Sequence, residues 1–223
     1  MRQIHKNAAP IWFEDWKKTF VLMNGRNPHY LDLTDSLRIK LRGVIVQEQG
    51  NICCYCMRRI NQKSSHIEHY KPRDLFQEED LSYDNMFASC PGQPYEVNLL
   101  NQHCDSKKNN WYDERFPKPT DSEFEKCISY RINGFADPYH KIGDDRHSLE
   151  KEFIEKVGLN APYLIRNRRQ VIEKSEIMDE AEYSNDDWMD FISYYDKMHE
   201  GNYEEYCAVI IDIIRRECIT DKE

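Results

Sequence analysis

The sequence predicts a mostly helical α+β protein with a small, loop-rich centre held by cysteines. Three observations carry that expectation. Apolar residues recur at helical spacing near both ends of the chain. Cys53 and Cys56 form a C-x2-C pair, with Cys90 and Cys104 further on. Asn133–Gly134 lies between two short β-prone runs, a strong hairpin signal.

Taken in order, the elements divide the chain into three zones. In the first, residues 1–50, Pro10 opens a helix with Trp12, Phe13, Trp16 and Phe20 on one side. A loop at Asn24–Pro28 follows. Asp35 or Ser36 then caps a second helix with the stripe Leu37, Leu41, Val44, Ile45, and Gly50 closes it. The second zone, residues 51–119, is expected to hold a strand over Ser64–Tyr70, a helical turn over Asp84–Cys90 and a helix over Asp105–Phe116. The third, residues 120–223, reads as a hairpin (Ile128–Ile132, Phe135–Pro138) and then helices. These are Pro162–Met178, a stripe Trp188, Phe191, Ile192, Tyr195, Met198, and a stripe Tyr203, Tyr206, Cys207, Ile210, Ile213, Ile214. Core packing is the simplest role for these stripes.

Composition narrows the function. The chain has 223 residues, 39% hydrophobic and 32% charged, with 14 Tyr, 9 Phe and 4 Trp, which marks a folded protein and not a disordered one. There is no run of ~18 apolar residues to cross a membrane, and Met1–Pro10 has no apolar signal segment. The expected compartment is therefore the cytoplasm. Thiols stay reduced there, so eight cysteines call for an explanation other than disulfides. Cys54, Cys127, Cys207 and Cys218 have no ligand spacing and read as small buried residues.

The net charge of −9 is unevenly spread. Residues 1–51 hold 8 Lys and Arg against 5 Asp and Glu, whereas residues 119–223 hold 14 against 25. An acidic second half is a poor nucleic-acid surface. Contact with DNA would fall to the first half, or to a partner.

The chemistry-bearing residues lie in the middle zone. A C-x2-C pair in a reducing compartment is most often half of a zinc site. Cys90 and Cys104 would supply the other half, with His103 as an alternative to Cys104. Glu68 and His69 stand adjacent between the half-sites. A carboxylate there can hold a divalent metal, and a neutral imidazole can deprotonate water. Asn85 can hydrogen-bond the backbone of the strand. Asp105 and Asn109 are one helical turn apart, and with Glu68 they make an oxygen-rich set suited to a hard cation such as Mg²⁺. Arg58, Arg59, Lys71, Arg73, Lys107 and Lys108 surround this set and are the candidates for phosphate contacts.

The order C-x2-C, Glu68-His69-x-x-Pro72, Asp84-Asn85, Cys90, then Cys104-Asp105 and Asn109 resembles the HNH (ββα-metal) nuclease family with its zinc knuckle. The resemblance covers roughly Ile52–Trp111. It implies His69 as general base and Asn85 as the middle asparagine. It implies Glu68, Asp105 and Asn109 as ligands of a catalytic Mg²⁺ or Mn²⁺, and a structural Zn²⁺ on the cysteines. The family more often has His or Asn in the place of Asp105, and His in that of Asn109, and the Cys90–Cys104 interval is longer than usual.

His66–Arg73, Ser89–Cys90, His103–Asn110 and Leu159–Leu164 with Arg166–Arg169 resemble more closely the PtuB nuclease subunits of Septu-type anti-phage systems, which also occur beside retrons. That resemblance implies DNA as substrate and an ABC-type, PtuA-like ATPase as partner. The competing readings are an inert zinc-knuckle scaffold, an RNA-directed nuclease, a zinc deaminase and a zinc-dependent transcription factor. The deaminase lacks the second C-x2-C, and the transcription factor lacks a basic recognition helix.

Overall fold

A computed structural model describes residues 1–93, 95–178 and 183–219. The first helix, α1 (Ile11–Asn24), starts after Pro10 and ends where Gly25 turns left-handed, its amide donating to the Val21 carbonyl at 2.9 Å. Phe13 stacks on Trp16, and Phe13 is fully buried. Helix α2 (Asp35–Glu48) is capped by Thr34, whose side chain accepts from the Leu37 amide; the expected caps Asp35 and Ser36 lie inside the helix. At its far end Gln49 is the cap and Gly50 takes the left-handed position after it.

Strands β1 (His66–His69) and β2 (Met86–Ser89) pair antiparallel, with His66 opposite Ser89 and His69 opposite Met86. The expected helical turn over Asp84–Cys90 is corrected here. Only Tyr83–Asn85 forms a 3-10 turn, and Met86–Ser89 then runs as a strand buried on both faces. One face packs on α2, so the strand shows none of the polar alternation of a half-exposed one. Helix α3 (Asp105–Lys108) is far shorter than the expected Asp105–Phe116, because Asn109 takes φ 48° and ends it. Strand, strand and helix thus follow one another in chain order.

Beyond them, β3 (Ile128–Tyr130) and β4 (Ala136–Pro138) form the hairpin expected at Asn133–Gly134. Gly134 has φ +86°, and a Cβ there would sit 2.4 Å from the Ile165 carbonyl oxygen, so the hairpin tip seats directly on a later helix. Helices α4 (Asp145–Val157), α5 (Pro162–Lys174), α6 (Asn185–Tyr195) and α7 (Cys207–Ile213) complete the chain; α7 continues as a π turn over Ile214–Cys218. Helix α4 packs on α3 and β4, and α7 on β3, α5 and α6. The buried cluster takes in Phe13 and Leu41, Cys53 and Phe87, and Phe153 and Ile210, so it draws on every part of the chain. Among the described residues, no helix is long and apolar enough to cross a membrane.

Candidate metal centre and adjoining cleft

Four cysteines converge although they are spread over 52 positions. Cys53 and Cys56 sit on a tight turn closed by the Met57 amide on the Cys53 carbonyl (3.0 Å) and the Cys53 amide on the Arg58 carbonyl (2.9 Å). Cys90 follows β2, and Cys104 immediately precedes α3. Their four sulfurs lie within 4.8 Å of one another and all four residues are buried. A tetrahedral ZnS₄ unit with bonds of ~2.3 Å separates its sulfurs by about 3.8 Å. Cys53–Cys104 and Cys56–Cys90 stand at 3.8 and 3.7 Å. The donor set therefore fits zinc.

Cys104 completes the cluster. The His103 ring lies beside it, with Nδ1 at 3.3 Å from the Cys104 sulfur and 3.8 Å from that of Cys90. It is placed as a hydrogen-bond partner of the thiolates. Cys54 and Cys207 are buried outside the cluster, as expected of small core residues.

Beside β1 and α3 lies a polar cleft of about 430 Å³, lined among others by Glu68, His69, Arg73, Asp105 and Asn109. Alternation puts His66 and Glu68 on one face of β1, and both meet Asp105. The His66 ring nitrogen Nδ1 is 2.7 Å from the Asp105 carboxylate. The Asp105 partner pushes the His66 pKa up, and although burial opposes ionisation of Asp105, His66 keeps that carboxyl below its ordinary value.

Glu68 is buried, which pushes its pKa up to about 7 against the pull of the Lys108 ammonium. Its Oε1 accepts from the Tyr55 hydroxyl at 3.0 Å and from Lys108 Nζ at 2.8 Å. Asn109 lines the same cleft, exposed and with φ at 48°.

His69 closes β1. Its Nε2 lies 2.9 Å from the Asp80 carbonyl oxygen. A carbonyl only accepts, so Nε2 carries the proton and Nδ1 keeps its lone pair. No described residue hydrogen-bonds Nδ1. Burial lowers the His69 pKa to about 4, so the ring is neutral at pH 7. Since the folded pKa lies below the ordinary 6.5, the unfolded chain binds the extra proton. His69 then contributes stability above pH 6.5, and that contribution drains away as pH falls toward 4.

Asn85 acts one step removed from the imidazole. Its side chain accepts from the Lys71 amide (2.8 Å) and donates to the carbonyls of Lys71 (3.0 Å) and Glu79 (3.2 Å), fixing the backbone just past His69. Tyr30 meets the imidazole edge-on, with ring centroids 5.0 Å apart.

The six expected phosphate contacts separate. Arg73 is exposed on the cleft, over the Tyr30 ring at 4.4 Å. Lys107 is half-buried, with Nζ 3.5 Å from the Leu99 carbonyl, and Lys71 is paired with Glu79. Lys108 is corrected to an internal role: it is 3% exposed and committed to Glu68 and to the His69 carbonyl. Arg59 likewise turns inward, donating to the carbonyls of Gly50 and Tyr203, and Arg58 lies over Tyr163 at 5.2 Å.

In their place α2 brings two arginines that the sequence did not single out. Arg38 lies over Tyr30 at 5.6 Å, and the charge of Arg42 acts on both Tyr30 and His66. Arg42 has no hydrogen-bond or ion-pair partner among the described residues, and its Nε is buried without one. Tyr55 and His66 were also outside the expected site. The strand alternation pointed to His66, but nothing local marks Arg38, Arg42 or Tyr55.

Fold and site together define a helix-rich α+β protein with a buried four-cysteine cluster, of a geometry that could hold a metal ion, beside an acidic, histidine-bearing cleft. Among curated proteins the chain is similar to a retron Vc95 protein of Vibrio cholerae serotype O1 biovar El Tor, assigned as an HNH endonuclease. The two are 28% identical over 130 residues, 56% of this chain and 60% of the relative's length. No family model matches.

Proposed function

We propose that this chain is a metal-dependent HNH endonuclease that hydrolyses DNA phosphodiester bonds. The observation that carries the reading is His69. A neutral imidazole, its tautomer set by the Asp80 carbonyl, opens onto the cleft that holds Glu68, Asp105 and Asn109. Those three residues would hold a Mg²⁺ or Mn²⁺ ion, which would stabilise developing negative charge on the phosphate and the leaving oxygen. His69 Nδ1 takes a proton from the attacking water. Asn85 keeps the chain after His69 in register, and Lys108 holds the His69 carbonyl from the other side.

The likeness to a retron protein assigned as an HNH endonuclease supports the nuclease reading. The narrower part rests on the sequence resemblance: the chain is the effector of a Septu-type anti-phage system and works with an ABC-type ATPase. Supercoiled-plasmid cleavage with Mg²⁺ or Mn²⁺ tests the core of it, with and without a co-purified partner. Nicked or linear product is expected. Cleavage of RNA alone would redirect the substrate, and no cleavage of either with zinc in place would favour the scaffold.

Arg42 joins Arg73 in this reading as a phosphate contact, because its guanidinium has no internal partner. Arg42→Ala should weaken DNA binding about equally for all sequences and lower the salt slope by about one. Filter binding at several salt concentrations reads both, and an unchanged slope would remove Arg42 from the interface.

Metal binding requires an ionised Glu68, whose pKa stands near 7. Mn²⁺ affinity should therefore fall as pH drops below about 7 while His69 stays neutral. Titrations at pH 6 and 8 check this, and equal affinity at both would contradict the role of Glu68.

A further inference from the structure

Both groups on Glu68 Oε1 come from segments that the cysteine cluster holds. Tyr55 stands inside the C-x2-C turn, between Cys54 and Cys56, and its ring packs edge-on against Phe153 with centroids 6.1 Å apart. Lys108 lies one helical turn after Cys104, its amide donating to the Cys104 carbonyl at 2.8 Å. From there its ammonium reaches Glu68 Oε1 at 2.8 Å and the His69 carbonyl at 3.3 Å. Tyr55, Lys108 and Glu68 are all buried. With Oε1 doubly occupied, Oε2 is the oxygen left for a cation, and Glu68 lines the same cleft as Asp105, with which it shares a side-chain hydrogen bond.

We infer that Tyr55 and Lys108 are positioning residues that tie the divalent-cation site to the zinc cluster, by fixing one carboxylate oxygen of Glu68 and presenting the other to the cation. The inference rests on the reading of Glu68 as a ligand of that cation. A carboxylate free to rotate must be ordered when the cation binds. Here the ordering is already done, by two arms anchored on the same four sulfurs. Outer partners of this kind typically change metal affinity about 10- to 100-fold when removed. The arrangement also assigns a use to zinc beyond folding: it sets where the second metal site stands.

The test is Mn²⁺ titration of the zinc-loaded full chain, followed by electron paramagnetic resonance, for wild type, Glu68→Gln, Tyr55→Phe and Lys108→Met. Tyr55→Phe keeps the ring in place, so zinc content and melting should match wild type while the Mn²⁺ Kd rises about 10-fold. A merely structural tyrosine would move the melting and leave the Kd alone. Lys108→Met is an independent arm. Removing a like charge beside the cation would by itself tighten Mn²⁺, so weaker binding in this variant points to positioning. Wild-type or tighter Mn²⁺ binding in Tyr55→Phe and Lys108→Met, with binding lost in Glu68→Gln, overturns the positioning role but leaves the ligand reading intact. Unchanged binding in Glu68→Gln overturns the ligand reading itself, and the positioning role with it.

Discussion

His69→Ala is expected to lose about 10²- to 10⁴-fold in cleavage rate, the usual contribution of a general base. The ring takes no part in the cysteine cluster, so zinc content should not change. Its bond to the Asp80 carbonyl and its edge contact with Tyr30 are the structural losses, about 1 kcal/mol for the hydrogen bond. Plasmid cleavage, zinc content and thermal melting of one preparation separate these effects. Cleavage at the wild-type rate would end the case for His69 as the base. Unfolding of the variant would instead give His69 a structural role that its contacts do not suggest.

Cys53→Ser should have the larger effect on stability. The Cys53 sulfur lies 3.8 Å from that of Cys104 and accepts the Cys90 amide at 3.3 Å, so it meets both distant segments of the cluster. Structural zinc sites contribute apparent binding free energies of about 10–16 kcal/mol. Losing one of four thiolates forfeits much of that. Zinc should be absent or readily chelated, and the first region to lose hydrogen-exchange protection should be the Cys53–Cys56 turn with β2. The rest of the buried cluster, around Phe124, Phe153 and Ile210, includes none of these ligands and should persist longer. A Cys53→Ser protein with full zinc and unchanged melting would refute the knuckle.

What could be read in the sequence, and what could not, divides along a physical line. The C-x2-C turn, the strand expected over Ser64–Tyr70 and found at His66–His69, and the Asn133–Gly134 hairpin are local, set by residues within a few positions of one another. Helix stripes such as that of α6 were legible for the same reason. Strand β2 was not: Met86-Phe87-Ala88-Ser89 is buried on both faces and shows no alternation, and the real turn at Tyr83–Asn85 just before it argued for helix. The end of α3 depends on one backbone conformation, at Asn109 (φ 48°, ψ −129°), outside the left-handed helical well that asparagine favours, and nothing in the local sequence marks it.

At the site, residue types and order identified Glu68, His69, Asp105 and Asn109 as a group, and the cleft brings them together. Charge alone misplaced Lys108 and Arg59, because a cation's sign does not say whether it faces water or a buried acceptor. Arg42 and Tyr55 needed the tertiary fold: one arrives from a helix packed behind the sheet, the other from inside the cysteine turn.

The long interval between Cys90 and Cys104 has a consequence for how such a protein can change over evolutionary time. Its two ends meet at a neck, where the His103 amide donates to the Gly92 carbonyl at 3.0 Å. Gly92 itself is so close that a Cβ would lie 1.5 Å from the His103 oxygen. Past that neck, Val97, Leu99 and Leu100 are exposed and anchor nothing inside. A segment pinched off in this way can lengthen at little cost, about 0.6 kcal/mol for each doubling. The two cysteines would keep their places throughout. Gly92 itself is held by its left-handed backbone and by the lack of room for a side chain, while the residues beyond it are open to insertion, deletion and drift.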